Sequence, residues 1–295
     1  MTRQRPATSS DTLKGLHLEK PLVSIITPSL NQGQYLSDTL ESVSEQTYSN
    51  IEHIVMDGGS SDNSVDLLRD WAGTHAIEWH SGHDDGQADA IQRGIALARG
   101  ELIAWLNSDD VYLDRTAIST AVSYFVQGAS VITGGGRYLS EAGSQLSRIP
   151  VRAERLDHRT LRCCDWVLQP ATFIRRDLLQ LCPLDTTLHY AFDWDLFIRL
   201  SALTKFTPVE SEWAGYRLHD RGKTISGGSH RRRELLKMIA KYHGKSGRYA
   251  MMKLMDLGLR SADRLPELPR RATRRFINVV ADISNKLTNG RGFQV

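Results

Sequence analysis

The chain has 295 residues, of which 40% are apolar and 24% are charged, and its net charge is +3. This composition is ordinary for a globular protein, the charge is too small to indicate nucleic acid binding, and there is no apolar run of about 18 residues to span a bilayer. Three cysteines, two of them adjacent, fit neither a zinc site nor an even disulfide framework. The polar N-terminus lacks the apolar core of a secretory signal, so we expect a flexible leader at residues 1–20 and a cytoplasmic protein.

Apolar runs alternate with helical patterns in the first third of the chain. Strands are predicted at Leu22–Thr27, Ile51–Met56, Ile77–His80 and Leu102–Leu106, of which the first and the last have the apolar runs of buried strands. Helices are predicted after the turn Asn31–Gly33, after an N-cap at Asp62, and over Ala88–Ala98. Strands that alternate with helices of this length form a parallel sheet through right-handed crossovers, so the pattern predicts an α/β domain with a mainly parallel central sheet.

The rest of the chain is less regular. Helices are predicted at Ala117–Phe125 and Phe192–Leu203, and strands at Ser130–Thr133 and Gln169–Ile174. From Glu234 onward helical periodicity dominates, and basic residues outnumber acids. We therefore predict one α/β domain at residues 21–228 and a helical, basic C-terminal extension at residues 229–295.

A polar cluster follows the strand Leu102–Leu106 directly, at Asn107, Ser108, Asp109 and Asp110. Ligands of open parallel sheets bind outside the carboxyl ends of the strands. Oxygen ligands at that position are well placed to hold a hard cation and the phosphates that it bridges. The same residue types are also ordinary turn formers, so a solvated turn is the alternative interpretation.

Two other predicted strands also end in polar residues. Asp57 precedes two glycines and would lie at the same edge of the sheet, where it would accept hydrogen bonds from a base or ribose. Asp84 lies beside a predicted helix N-terminus, and Arg93 follows on that helix, where it would meet phosphate. The alternatives are an Asp-Gly turn at Asp57 and an N-cap with a solvated face at Asp84 and Arg93.

Two constellations in the second half of the chain carry further chemistry. Asp193 and Asp195 flank Trp194 at the start of a predicted helix, a pattern that suits a general base beside an aromatic wall. Arg217 and His219 alternate on an extended segment, so they point the same way, towards a diphosphate and a metal. The alternatives are helix N-terminal acids around a core tryptophan, and a basic surface loop.

Six segments in order carry a resemblance to a known family. They are SIITPSLNQGQYL, EHIVMDGGSSDNS, HDDGQADAIQRGIALARGELIAWLNSDD, QPATFIRR, FDWDLFIRL and YRLHDRGKT, between about Val23 and Thr224. Together they resemble the family 2 glycosyltransferases of the GT-A type, which are inverting enzymes that use nucleotide sugars. The resemblance implies a single GT-A domain, a divalent cation (Mg²⁺ or Mn²⁺), and direct displacement at the anomeric carbon of the sugar.

The resemblance also implies roles for individual residues. Asp57 matches the acid that binds the nucleobase, Pro28 lies near the base, and Asn31 lies near the nucleotide pocket. Asp109 matches the metal-binding acid of the DxD element, which here is Asn107-Ser108-Asp109 and so begins with Asn instead of Asp.

In the second half of the chain, Asp193 matches the catalytic base, although the residue before it is Phe192 where many members have an acid. Arg217 matches a position that meets the diphosphate, and His219 matches one that meets the metal. Trp194 and Asp195 are predicted on the acceptor side.

The expected donor is a UDP- or GDP-sugar, and the expected acceptor is a glycan or a lipid-linked glycan. The competing functions are a sugar nucleotidyltransferase, whose loop after the first strand is rich in Gly and Arg where this chain has PSLNQGQ, and a catalytically silent binding or scaffold subunit. A dehydrogenase is disfavoured because no GxGxxG follows a strand.

The last predicted helix has an apolar stripe at Phe276, Val280, Ile283 and Leu287, with basic residues around it. It would either pack on the catalytic domain or lie peripherally on the inner face of an anionic cell membrane.

Overall fold

Apolar runs on alternating strands and helices place one large sheet at the centre of the protein. The structure, a computed structural model, describes residues 20–244. The strands are β1 Val23–Ser29, β2 Ile51–Asp57, β3 Glu78–Ser81, β4 Leu102–Trp105, β5 Val111–Tyr112, β6 Val131–Leu139, β7 Gln145–Ile149, β8 Thr172–Arg175 and β9 Phe206–Arg217. The helices are α1 Leu36–Ser44, α2 Ser64–Ala72, α3 Gln87–Leu97, α4 Ala117–Val126, α5 His158–Leu161, α6 Arg176–Leu181, α7 Phe192–Leu203, α8 Lys223–Ser226 and α9 Gly228–His243.

The first four strands form the parallel part of the sheet, in the order β3-β2-β1-β4. Every residue of β1 is buried, as the unbroken apolar run predicts for a strand covered on both faces. The register pairs Ser29 with Asp57 and Asp57 with Ser81, so polar strand ends meet at one edge. The α/β prediction for this region is confirmed. The N-cap of α2 is Asn63 and not Asp62, whose carboxylate instead accepts hydrogen bonds from the backbone of Gly33 and Ser64.

Beyond β4 the sheet changes character. The pairings β4–β8, β8–β6, β6–β7 and β5–β9 are antiparallel, and β6–β9 is parallel. The sheet is therefore mixed: the pairings among β1 to β4 and the long pairing β6–β9 are parallel, and the others are antiparallel. Strand β6 continues through Gly134 and Gly136, where added Cβ atoms would collide with Trp213 and with the backbone of Ala214 on β9. The glycines let two strands and a tryptophan approach closely.

Two helices of the second half pack against the same core cluster as β4. Helix α7 has the bounds predicted from its periodicity, and Phe197 on it stacks on Trp105 of β4. Helix α9 buries Met238 and Ile239 in this cluster. Over residues 228–243 the predicted extension is therefore packed on the α/β core.

The stripe predicted at Phe276, Val280, Ile283 and Leu287 lies outside the described residues. Within residues 20–244, no helix has the length and apolar character needed to cross a bilayer. A domain boundary after residue 228 stays a prediction.

Candidate functional site

A cleft of about 510 Å³ opens at the carboxyl ends of β1 and β4. The position is the one expected for ligands of such a sheet. Its walls bring together predicted site residues from five separate segments, namely Pro28, Asp84, Asn107, Ser108, Asp109, Asp193, Trp194 and Arg217. Cationic side chains at Arg221, Lys223 and Arg231 face the same space.

The acidic turn after β4 is held in place by amide side chains. Asn107 accepts a hydrogen bond from Gln87 Nε2 (2.7 Å) and donates to Asp110 Oδ2 (3.1 Å). Gln169 donates to the carbonyl of Trp105 at the end of β4 (2.6 Å). Asp110 is buried, and burial together with Asp109 raises its pKa well above the ordinary value. The acidic turn is thus held in place on the cleft wall by side-chain hydrogen bonds and is not a solvated loop.

Arg217 and His219, at the end of β9, both bind this turn. His219 Nε2 lies 2.9 Å from Asp109 Oδ2, and the imidazole is almost fully buried beside the ring of Tyr35. Arg217 donates from Nε to the Asp109 carbonyl (2.9 Å) and from Nη2 to Asp38 (2.7 Å). Its backbone N–H donates to Asp110 (3.0 Å). Arg217 therefore clamps the acidic turn in this structure, where a contact with diphosphate was predicted for it.

The pair Asp109 and His219 suits a divalent cation. A carboxylate oxygen and an imidazole nitrogen are ligands that Mn²⁺ and Mg²⁺ accept, the oxygen above all. The second ring nitrogen of His219, Nδ1, is buried and has no hydrogen-bond partner among the described residues. Those residues contain no cluster of three or more His, Cys, Asp or Glu side chains that could hold a metal. Asp109 and His219 are therefore the residues that would hold a divalent cation at this turn.

Asp57 lies at the end of β2, beside the main cleft. Its Oδ2 accepts hydrogen bonds from the N–H of Gly59 (3.1 Å) and Ser60 (3.0 Å) and from Ser81 Oγ (2.6 Å). It lines a smaller cavity of about 180 Å³, and Asp84 lines both cavities. Arg93 also lines the smaller cavity and pairs with Asp89 (2.7 Å), so it lies away from the acidic turn.

Asn31 organises the loop after β1. Its φ of +53° is left-handed, a conformation that Asn tolerates better than most residues. Its Oδ1 accepts a hydrogen bond from the N–H of Ser61 (2.8 Å), which ties this loop to the one after β2. Asn31 lies outside the cleft wall, while its neighbours Leu30 and Gln32 line the cleft.

Asp193 lines the same cleft as the acidic turn and lies at the start of α7. Its Oδ1 accepts a hydrogen bond from the N–H of Trp194 (2.7 Å). Burial raises its pKa to about 6, and the backbone hydrogen bonds, Arg231 and Lys223 offset only part of that effect. Asp165 lines the same cleft, and desolvation there together with Asp193 raises its pKa. The pKa of about 6 makes the Asp193 carboxylate suited to accept a proton near neutral pH.

The structure separates the two residues predicted on the acceptor side. Trp194 lines the cleft, and its indole N–H donates to the carbonyl of Leu161 (2.7 Å). Asp195 is fully buried and accepts hydrogen bonds from Arg199 and Lys241 (2.7 Å each) and Tyr242 (2.6 Å). Because its oxygens are enclosed by these donors, the prediction of an acceptor-side role for Asp195 is corrected.

Sequence reasoning missed Asp165 and the cation Arg231 as cleft residues. Asp165 follows two cysteines in a stretch without clear periodicity, and Arg231 belongs to what was predicted as an extension. Neither position carries a local pattern that indicates a cleft. The roles assigned to individual site residues by resemblance remain predictions.

Comparison with known proteins identifies the family. The sequence model of glycosyl transferase family 2 matches residues 24–179, more than half of the chain. The chain belongs to glycosyl transferase family 2. It is 42% identical over 103 residues to an uncharacterised glycosyltransferase of Mycobacterium tuberculosis, which is 35% of this chain and 39% of that protein. Matches to four curated relatives span 23–39% of their lengths.

Solved structures show the same fold for this family 2 chain. A mannosyltransferase from Pyrobaculum calidifontis, in complex with GDP-Man and Mn²⁺, superposes with a TM-score of 0.61 and 19% identity over 89% of this chain and 81% of that one. Staphylococcus aureus TarS 1–349 with UDP-GlcNAc gives a TM-score of 0.58 and 14% identity over 80% and 72% of the two chains. The GT-A fold predicted from the sequence is confirmed.

Proposed function

We propose that this family 2 chain transfers a sugar from a UDP- or GDP-sugar to a hydroxyl group of a glycan or lipid-linked glycan, with inversion at the anomeric carbon. The observation that carries the proposal is that Asp109 and Asp193 line one cleft. Asp109, which contacts His219, offers ligands for a cation that binds a diphosphate, and Asp193 offers a base. Two neighbours of the same fold hold GDP-Man with Mn²⁺ and UDP-GlcNAc, respectively, which supports the donor class.

The residues of the cleft have separate roles in this reaction. Asp193 accepts the proton of the acceptor hydroxyl while that oxygen bonds to the anomeric carbon, and the bond from that carbon to the diphosphate breaks on the opposite face. Arg221, Lys223 and Arg231 add positive charge around the donor phosphates. A divalent cation held by Asp109 and His219 would offset the negative charge that develops on the leaving diphosphate. The chain thus mainly positions the two substrates and neutralises charge.

The proposal is tested by a screen of nucleotide sugars for release of the nucleoside diphosphate, with and without Mn²⁺ or Mg²⁺. We expect release with one donor class, dependent on the cation. Asp109→Ala should abolish both transfer and cation-dependent nucleotide binding, because no other described carboxylate contacts His219. Asp177→Ala, on the surface helix α6, is the matched control and should behave as wild type.

Full activity of Asp109→Ala would reject the cation site. Donor binding without turnover, over a panel of glycan and lipid-linked acceptors, would favour the silent subunit instead. A cytoplasmic location, and membrane contact through residues after 244, stay predictions that this screen does not address.

A further inference from the structure

Helix α9 contacts the helix that carries Asp193 at two separate places. The first contact is made by Glu234, in the middle of α9. Its carboxylate accepts hydrogen bonds from three consecutive backbone N–H groups, those of His189 (2.9 Å), Tyr190 (2.6 Å) and Ala191 (2.7 Å). These residues form the segment that leads into α7, and they all line the cleft.

This contact lies beside a helix start that has no side-chain cap. Ala191 is the N-cap residue of α7, and its methyl side chain makes no capping hydrogen bond. A negative charge near a helix N-terminus is favourable. Glu234 places a carboxylate there from another helix and holds the N-cap residue and the two residues before it by their N–H groups. Hydrogen bonds to a charged acceptor are about twice as strong as neutral ones, so the lead-in segment is held firmly.

The second contact fixes the other side of the catalytic residue. Lys241 and Tyr242, near the end of α9, bind the fully buried carboxylate of Asp195. Asp193 lies between the two contacts, two residues after Ala191 and two before Asp195. Rotation of the first turn of α7 would break one contact or the other, so the direction of the Asp193 side chain depends on α9.

We propose that Glu234 is a positioning residue for the transfer reaction: by holding the backbone of His189–Ala191, it sets where Asp193 meets the acceptor hydroxyl. The inference rests on the proposed role of Asp193 as the base. It assigns α9 to the catalytic unit and not to a separate extension. The carboxylate of Glu234 points at backbone N–H groups and makes no contact with the reacting atoms.

The test compares Glu234→Ala and Glu234→Gln with Glu41→Ala, a matched change of an exposed glutamate on helix α1. Glu234→Ala should lower kcat by about 10- to 100-fold, since small misplacements of a reacting group are that costly. The donor KM should stay within about threefold, because the hydrogen bonds of Glu234 go to the backbone of His189–Ala191 and not to Asp109 or His219, the proposed cation ligands. Glu234→Gln should recover much of the kcat, as its amide oxygen still accepts N–H hydrogen bonds.

A kcat for Glu234→Ala equal to that of Glu41→Ala would overturn the inference, as would a loss that appears only in the donor KM. If Glu234→Ala does not fold, judged by its thermal melt, Glu234→Asp decides: it keeps the charge but draws the carboxylate back by one methylene. A lower kcat then supports positioning, and a full kcat overturns it.

Asp193→Asn is assayed in parallel. If that variant loses turnover while Glu234→Ala does not, only the positioning role fails. If Asp193→Asn itself turns over normally, the proposed base fails, and the inference fails with it.

Discussion

The cleft face and the core face of α7 hold two aspartates only two residues apart in very different surroundings. On the core face, Asp195 is fully buried and is bound directly by Arg199, Lys241 and Tyr242. On the cleft face, Asp193 accepts a backbone hydrogen bond and interacts electrostatically with a second acid, Asp165.

Burial acts to raise the pKa of both carboxyl groups, but the outcomes differ. At Asp195 the hydrogen bonds from Lys241, Tyr242 and Arg199 outweigh burial, and the pKa lies below its ordinary value. At Asp193 burial prevails, and the pKa rises to about 6. Direct hydrogen bonds from cations thus make one carboxylate an anchor, and their lack leaves its neighbour with the raised pKa that the proposed base requires.

The largest expected effect is the loss of kcat on neutralising Asp193, on the cleft face of α7. Asp193→Asn should lower kcat by about 10²- to 10⁴-fold, the usual range for loss of a general base, while donor binding stays near normal. Steady-state kinetics with the identified donor measure both quantities. Collapse of donor affinity with a surviving rate at saturation would show that Asp193 is a binding residue and would remove the contrast.

Neutralising Asp195, on the core face of α7, should instead lower the free energy of unfolding. Asp195→Asn should lower the free energy of unfolding by about 2 kcal/mol, because Lys241 and Arg199 lose a buried partner but remain partly exposed to water. Urea denaturation measures the change. Asp177→Asn, which breaks the exposed pair with Arg175, should change it by no more than about 1 kcal/mol. Equal losses in the two variants would contradict an anchoring role.

The pH profile sharpens the contrast further. A base must be ionised, so a pKa of about 6 at Asp193 means that kcat is retained above that pH and lost as the pH falls through it. Between pH 7 and pH 5 the ionised fraction, and with it kcat, should fall about tenfold. Lys223→Met should move the midpoint upward, since Lys223 favours the ionised form. A midpoint near 4 would show that burial does not govern Asp193.

The smallest expected effect is a gain in stability. The pKa of Asp193 is higher in the folded chain than in the unfolded chain, so the folded state binds the proton more tightly. Ionisation therefore destabilises the fold above about pH 6 and has no effect below about pH 4. Asp193→Asn should raise the free energy of unfolding at pH 8 by on the order of 1 kcal/mol, a typical cost of activity in a buried site. Denaturation at pH 4 is the control and should show no such gain.

Local sequence patterns were sufficient for much of the fold. The run Leu102–Leu106 and the periodicity of Phe192–Leu203 depend on neighbours in sequence, and both elements formed where they were predicted. Strand β6 was predicted to end at Thr133 but continues to Leu139, because its partner for the extra length is the distant strand β9. The glycines there carry no local pattern that indicates a strand, and the close approach of Trp213 explains the one at Gly134.

The candidate site, like the fold, was only partly predictable from local sequence patterns. Polar residues at strand ends predicted the acidic turn, because parallel strands deliver their ends to one edge. The hydrogen bonds of Arg217 could not be predicted from the sequence, because its partners Asp38 and the Asp109 carbonyl come from distant segments. The anchoring of Asp195 was hidden for the same reason, because its partners Lys241 and Tyr242 lie on α9.

The contact between Asp109 and His219 joins residues 110 positions apart, and this separation sets an order of events on the ribosome. Synthesis proceeds from the N-terminus, so Asp109 leaves the ribosome well before His219. A nascent chain that has reached α7 carries both Asp109 and Asp193 but neither Arg217 nor His219. A translation product that stops there therefore lacks one member of the proposed cation-binding pair, and it also lacks the cleft residues Arg221, Lys223 and Arg231.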